Sequence, residues 1–312
     1  MIYTVTPNPA VDRELTVPVM ELDSVLRASE SRVDFGGKGF NVSRLLKGMD
    51  TPSVALGFLA GNAGELLQNG LKSLGIGTDF VWVAGETRTN VSIVTQSHDH
   101  YRKVNEMGPL VDSAKQQELL GKIDSLAKLG EWWVLAGSMP PGVADDFYAR
   151  IVRVLNNNGA QAILDTAGEP LKLSCGEKPF LVKPNMEEAG ALTGLSMITP
   201  DEIAAGAGEI RRMGAQNVVI SMGKAGALLQ TTVGTWLVDS PKIQELNPIG
   251  AGDSMVGGLV RALSQGIPVI EALGWGVASG AATASLKGTE VGTRSLIESL
   301  VGQVRFEKLK SV

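Results

Sequence analysis

Short apolar runs rich in β-branched residues alternate along this chain with segments whose apolar positions recur at helical spacing. The runs at 2–6, 54–58, 132–136, 162–165, 180–183 and 218–221 read as strands buried on both faces. Helical patterns mark 41–47, 65–73, 115–126, 145–156, 200–213, 252–264 and 269–286. Strands alternating with helices predict an α/β fold whose mainly parallel central sheet is covered on both faces. Two segments break the rhythm. Residues 11–34 alternate apolar and polar positions with no helical period, and 87–107 reads as a hairpin turning at 97–100. Both predict antiparallel strands in a small sheet standing off the main one, a candidate lid. With no tandem repeat or low-complexity linker, 1–312 reads as one domain with lid segments at about 11–34 and 87–107.

Composition adds a few exclusions. The net charge is −5 with no run of Lys or Arg, which argues against a general nucleic-acid surface. Glycine is abundant at 38 residues, a composition suited to tight loops that bring backbone close to a ligand. Cys175 is the single cysteine, so no intrachain disulfide forms. Residues 1–12 lack the basic and apolar regions of a signal peptide, and the mild stretch 272–286 is too short to span a bilayer. The expectation is a cytoplasmic protein with no membrane partner. His98 and His100 fit a hairpin tip better than a zinc site or a nucleophilic triad.

Three turns carry candidate chemistry. In Asn247-Pro-Ile-Gly-Ala-Gly-Asp253, a proline and two glycines precede a strongly helical run. Backbone N–H groups at such a helix start, with the positive end of its dipole, cradle a phosphate or a developing anion. Asp253 falls in the first turn, where a carboxylate either accepts a proton from an attacking hydroxyl or caps the helix. A second glycine-rich turn, Gly36-Gly37-Lys38-Gly39-Phe40-Asn41, also enters a helix. Lys38 offers charge and Asn41 suits sugar hydroxyls, although a plain turn accounts for the same residues, and P-loop spacing is absent. In Lys183-Pro-Asn185-Met-Glu-Glu188, the last amide and carboxylate stand three apart at a helix start. That pair either holds water or Mg²⁺ near phosphates or caps the helix. Met255 stands where a dinucleotide fingerprint beginning at Gly250 needs its third glycine, which sets aside an NAD-dependent oxidoreductase. Most of these turns follow predicted strands, the edge where open α/β sheets hold ligands, and together they point to phosphoryl transfer.

Read together, these motifs resemble the ribokinase-like (PfkB) family of sugar kinases over essentially the whole chain. The resemblance rests on Thr6-Pro-Asn8-Pro-Ala-Val-Asp12, the turn at 36–41, Gly137-Ser138-Met-Pro-Pro141, the segment 183–188, Ser221-Met-Gly223 and Gly250-Ala-Gly-Asp253. The first and third are similar to the branch acting on sugar phosphates. The opening residues 1–6, Leu164-Asp165-Thr-Ala-Gly168-Glu169 and the run 178–185 are most similar to the subgroup converting fructose 1-phosphate and ATP to fructose 1,6-bisphosphate and ADP. Tagatose 6-phosphate and fructose 6-phosphate are the substrates of sibling subgroups. A catalytically silent sugar-phosphate sensor is the reading from another class.

The resemblance implies a three-layer ribokinase-like domain, ATP with Mg²⁺, and a set of roles. Asp253 is the expected base, with the amides of Gly250, Ala251 and Gly252 as anion hole. Asp12, Gly37, Lys38, Asn41 and Ser138 are expected around the sugar. Arg88 and Asn90 extend from the lid, with Arg27 as a further phosphate ligand. Lys183, Asn185, Ser221, Gly223 and Gly226 are expected at the nucleotide, and Glu188 at the metal through water. An apolar sheet face standing off the domain needs cover, so a homodimer through the lids is expected. Many members carry Asp-Thr, linked to a monovalent-cation site, where this chain has Pro248 and Ile249 after Asn247. Neither residue has a side-chain oxygen, so activation by K⁺ through that pair is not expected.

Overall fold

A computed structural model describes residues 1–21, 23–97 and 100–309. Strand β1 (Ile2–Thr6) enters the core, and β2 (Ala10–Val17) and β3 (Glu30–Gly36) leave it as the first lid segment. Helix α1 (Lys38–Gly48), β4 (Ser53–Leu59), α2 (Gly61–Ser73), β5 (Gly77–Thr78) and β6 (Val81–Trp82) return to the main sheet. The lid is completed by β7 (Arg88–Thr95) and β8 (Tyr101–Asn105). Alternation then resumes with α3 (Ser113–Leu126), β9 (Trp132–Ala136), α4 (Phe147–Asn157), β10 (Gln161–Asp165), α5 (Gly168–Cys175) and β11 (Leu181–Val182). After α6 (Met186–Thr193), α7 (Pro200–Arg212) and β12 (Asn217–Ser221) come the antiparallel strands β13 (Gly226–Gln230) and β14 (Thr235–Asp239). Helices α8 (Ala251–Ser264), α9 (Val269–Ala284) and α10 (Arg294–Val301) precede β15 (Arg305–Lys308).

The main sheet runs β15-β14-β13-β12-β11-β10-β9-β1-β4-β5, with β6 beside β4. From β5 to β12 every pairing is parallel; β13, β14 and β15 extend the sheet in antiparallel fashion. Its strands are buried on both faces, which is why they read as continuous apolar runs. Alternate residues split between two cores: Tyr3, Trp133 and Leu164 pack on the side of α3 to α7. Ile2, Val134 and Ile163 pack on the side of α1, α8, α9 and α10. Three layers result, as expected.

The lid order is β3-β2-β7-β8. It corrects one expectation: β2 and β7 pair in parallel, Ala10 opposite Arg88, while only the outer pairings are antiparallel. Both strands run outward from the same edge of the main sheet, so they cannot oppose each other. The hairpin turn lies where expected, closed by Thr95 N–H donating to the His100 carbonyl at 3.1 Å. His98 lies outside the described residues. The expected strand 180–183 shrinks to two residues because Pro184 lacks the N–H that would extend the ladder.

A few of the glycines serve one helix pair. A Cβ on Gly258 would stand 2.2 Å from Ser279 Oγ, and one on Gly280 would stand 3.0 Å from the Ala251 carbonyl. Small residues let α9 press against α8 and support its first turn. No described helix is long and apolar enough to cross a membrane.

Candidate active site

Four main-sheet strands deliver side chains to one edge. Asp165 ends β10, Lys183 follows β11, Ser221 ends β12, and Gly137-Ser138 follows β9. Helix α8 begins at the same place. Gly250, its cap, adopts the left-handed conformation at φ 77°, which glycine reaches without the cost other residues meet. The first-turn N–H groups that follow have no intrahelical acceptor, as at any helix start, and of these the Ala251 N–H donates back to the Pro248 carbonyl at 3.2 Å.

Asp253 sits in that first turn and is buried, 8% exposed. Its Oδ2 accepts a hydrogen bond from Asn41 Nδ2 at 2.7 Å, which joins the start of α1 to the start of α8. Burial, and then the negative charge of Asp165, push the Asp253 carboxyl up to about 6; the Asn41 amide, Lys38 and Lys183 pull the other way. A carboxylate held near 6 is ionised at neutral pH yet basic enough to take a proton.

Asp165 is the functional residue that the sequence reading passed over, although it lay inside a quoted motif. Its Oδ1 pairs with Lys38 Nζ at 3.0 Å and with Lys183 Nζ at 3.3 Å. Burial drives its carboxyl up, but the two ammonium groups outweigh burial and hold it below the ordinary carboxylate value. Lys38 behaves in mirror image: burial lowers it, while attraction to Asp165 and their hydrogen bond raise it on balance. Lys38 therefore stays charged. Lys183 also lies beside the α8 turn, since a Cβ on Gly252 would meet its Nζ at 3.7 Å. The signal available in sequence was a polar residue closing an otherwise apolar parallel strand.

On the lid side, Asn90 Nδ2 donates to Asp12 Oδ1 at 2.8 Å across the β2–β7 pairing. Arg88 Nη2 donates to the Asn8 carbonyl at 2.9 Å. Burial lowers the Arg88 guanidinium, with Asp12 opposing. Thr6 Oγ1, Asn8 Oδ1, Arg88 Nε and Asn90 Oδ1 are all buried at the lid base without a hydrogen-bond partner. Gly36 is required here: a Cβ would collide with Asp12 Oδ2 at 2.2 Å. Gly37 has φ 145° and caps α1, which carries Lys38 and Asn41 into the cluster. Ser138 is exposed on a turn whose Gly137 carbonyl accepts from Tyr148 Oη at 3.1 Å and Thr166 Oγ1 at 3.0 Å.

The expected nucleotide residues form a neighbouring group. Asn185 and Ser221 bridge in parallel, and Ser221 N–H donates to the Pro184 carbonyl at 3.0 Å. Asn185 and Glu188 make a reciprocal capping box at the start of α6. Glu188 Oε2 is committed to the Asn185 N–H at 2.9 Å, yet the carboxylate still lies close enough to raise Lys38. Among the described residues no cluster of three or more acidic, His or Cys side chains could hold a metal ion by itself. A group with phosphates and water supplying most ligands fits such a site, because Mg²⁺ commonly takes only one or two protein carboxylates. Gly223 opens a short 3₁₀ turn and is exposed. Gly226 instead packs against β14, where a Cβ would meet the Val238 carbonyl at 2.0 Å. Arg27 stands exposed between β2 and β3 and takes no part in the hydrogen bonds of the cluster.

Comparison with known proteins gives concordant results. A family profile, the pfkB family carbohydrate kinase, matches residues 8–295. The 1-phosphofructokinase of Bacillus subtilis is 36% identical over 309 residues, covering 99% of this chain and 100% of that protein. The D-tagatose-1-phosphate kinase of Bacillus licheniformis is 35% identical over 311 residues, covering 99% and 100%. Phosphofructokinase-2 from Escherichia coli, solved in complex with fructose-6-phosphate, superposes with a TM-score of 0.89 at 27% identity, covering 96% of this chain and 98% of that one.

Proposed function

This chain belongs to the pfkB family of carbohydrate kinases, phosphotransferases with an alcohol group as acceptor, and from that we propose that it is a 1-phosphofructokinase. It transfers the γ-phosphoryl of ATP to a hydroxyl of fructose 1-phosphate, giving fructose 1,6-bisphosphate and ADP. The observation that carries this reading is Asp253: a buried carboxylate held by Asn41 in the first turn of α8, beside two lysines compensated by Asp165.

In the proposed reaction the sugar hydroxyl oxygen forms the new bond to phosphorus as the bond to the β–γ bridging oxygen breaks. Asp253 receives the hydroxyl proton, and ADP departs with the bonding electrons. Gly250, Ala251 and Gly252 present the helix N-terminus to the charge that builds on the transferring group. Lys38 and Lys183 supply positive charge there, and Asp165 holds both in place. Asp12, Gly37, Asn41, Asn90 and Ser138 line the sugar, and Arg88, with Arg27 from the lid loop, takes its phosphate. Lys183, Asn185, Ser221, Gly223 and Gly226 border the nucleotide. Mg²⁺, when bound with ATP, neutralises phosphate charge; Glu188 would hold it through water. The four unpartnered atoms at the lid base support a polar ligand there.

Initial ADP production with MgATP and a set of sugars tests this. The expected result is a strong preference for fructose 1-phosphate over fructose 6-phosphate, tagatose 6-phosphate and free fructose. Preference for tagatose 1-phosphate or a 6-phosphate would move the chain to a sibling activity. Absence of turnover in protein that binds ATP would favour the sensor.

The same reading places the protein in the cytoplasm as a homodimer joined through the lids. Val33 and Val104, in one row across the lid sheet, are 39% and 65% exposed, apolar area that a second copy would cover. Light scattering across working concentrations decides the point, and a monomeric mass throughout rules it out.

A further inference from the structure

The segment between α9 and α10 is tied to two functional elements at once. At its tip, Thr289 Oγ1 donates to Asp34 Oδ1 of lid strand β3 at 2.7 Å. One residue earlier, the Gly288 carbonyl accepts from Asn247 Nδ2 at 2.6 Å. The other atom of the same side chain, Asn247 Oδ1, accepts from the Ile249 N–H at 3.0 Å and so shapes the turn that opens α8. Beneath it, the N–H groups of Leu246 and Asn247 donate to the Ala284 carbonyl at 2.8 and 3.1 Å, which anchors the turn to the end of α9. The far end of the segment is also fixed: Gly292 N–H donates to Thr283 Oγ1, which donates to Ser254 Oγ, next to Asp253. Arg44 of α1 adds a bond from Nη2 to the Thr289 carbonyl at 3.0 Å.

These contacts form one wall of a cleft whose lining includes Asp12, Asn41 and Gly250, so the tie runs along the edge of the reacting groups. A lid without such a tie would leave the turn at 247–252 free to shift relative to the sugar side. With it, the position of β3 and the position of the anion-hole turn are not independent. The amide of Asn247 suits the task because it donates with one atom and accepts with the other.

We propose that Asn247 and Thr289 are positioning residues that lock the anion-hole turn to lid strand β3, so that a lid seated on sugar phosphate sets the hole for transfer. Neither side chain touches the reacting atoms. The inference rests on the kinase reading above. Spatial continuity alone does not establish coupling, and a double-mutant cycle does.

Four variants make the test: Asn247→Ala, Thr289→Val, the pair together, and Thr289→Ser, which keeps the donor hydroxyl. Wild-type turnover is measured first; absence of turnover with fructose 1-phosphate alone sinks the 1-phosphofructokinase assignment, and the series is then run, kinetics and calorimetry alike, on the sugar phosphate that is turned over. Each of the first two variants is expected to lower kcat about tenfold while the dissociation constant for fructose 1-phosphate, measured by calorimetry without nucleotide, moves less than about threefold. The pair should lose about the same factor as either alone, and Thr289→Ser should stay near wild type. Losses that multiply to about a hundredfold in the pair would overturn the inference. So would sugar binding that weakens in step with kcat. Should Asn247→Ala fail to fold, Thr289→Val against Thr289→Ser still decides, since equal activity of those two removes the Thr289 bond from the mechanism.

Discussion

On the main sheet, Asp165 and Lys183 are nearly sealed from solvent, with side chains 2% and 5% exposed, whereas strand β8 of the lid is exposed along its whole length. The first region compensates its charges internally before any ligand arrives. A buried carboxylate stands paired with two lysine side chains, and no reorganisation is needed as charge develops. The lid instead places its unmet hydrogen-bonding capacity where it joins the sheet, in Arg88 Nε and Asn90 Oδ1. One region is finished without ligand and the other is completed by it. Chemistry is therefore expected to depend on the sheet edge, and sugar recognition on the lid base.

The largest effect should come from the sheet edge. Asp253→Asn is expected to lower kcat by about 10²–10⁴-fold with sugar affinity unchanged. The same variant should gain stability above about pH 6: the folded carboxyl is raised to about 6, so its favourable protonated form is lost as pH rises through that value. Thermal melts at pH 4 and pH 8 check this, with the larger gain at the higher pH, because the wild-type penalty builds up between the ordinary carboxylate value and about 6. A near wild-type kcat removes Asp253 as the base.

Next in size is Asp165→Asn. It leaves Lys38 and Lys183 facing each other without a counter-charge, and a loss of stability on the order of 3 kcal/mol is expected by denaturant unfolding. Its charge also helps raise Asp253, so the acidic limb of kcat/KM, expected near pH 6 in the wild type, should move to lower pH in the variant. An unmoved limb would separate the two carboxylates. The smallest effect belongs to the lid: Arg88→Lys should raise KM for the sugar phosphate about tenfold while kcat changes little, because an ammonium loses the bidentate fork. A fall in kcat of equal size would erase the division of labour between the regions.

Parallel strands such as Ile2–Thr6 and Trp132–Ala136 were legible to the residue because burial on both faces leaves an unbroken apolar signal. The α8 turn was legible too, since Pro248, Gly250 and Gly252 are a backbone instruction written locally. Short helices such as Gly168–Cys175 and Arg294–Val301 escaped, being too brief for periodicity to show. Strands β13 to β15 were missed for a different reason: they add to the sheet edge by pairing that only the tertiary structure specifies. Asp165 was hidden because its partners lie 127 and 18 residues away in sequence, and a lone carboxylate at a strand end carries no spacing signal. Glu188 shows the opposite hazard, in which a residue placed by motif also has a complete structural duty in the capping box.

The parallel pairing of β2 with β7 has a consequence for how the protein matures. Ala10 and Arg88 are far apart in sequence, and the crossover that joins β2 to β7 passes through α1, β4 and α2 of the main domain. Contacts of such sequence separation close late, as loop entropy must be met before they contribute. The meeting of Asp12 with Asn90 occurs across that same pairing. During refolding, the helical signal should therefore return before the capacity to bind sugar phosphate.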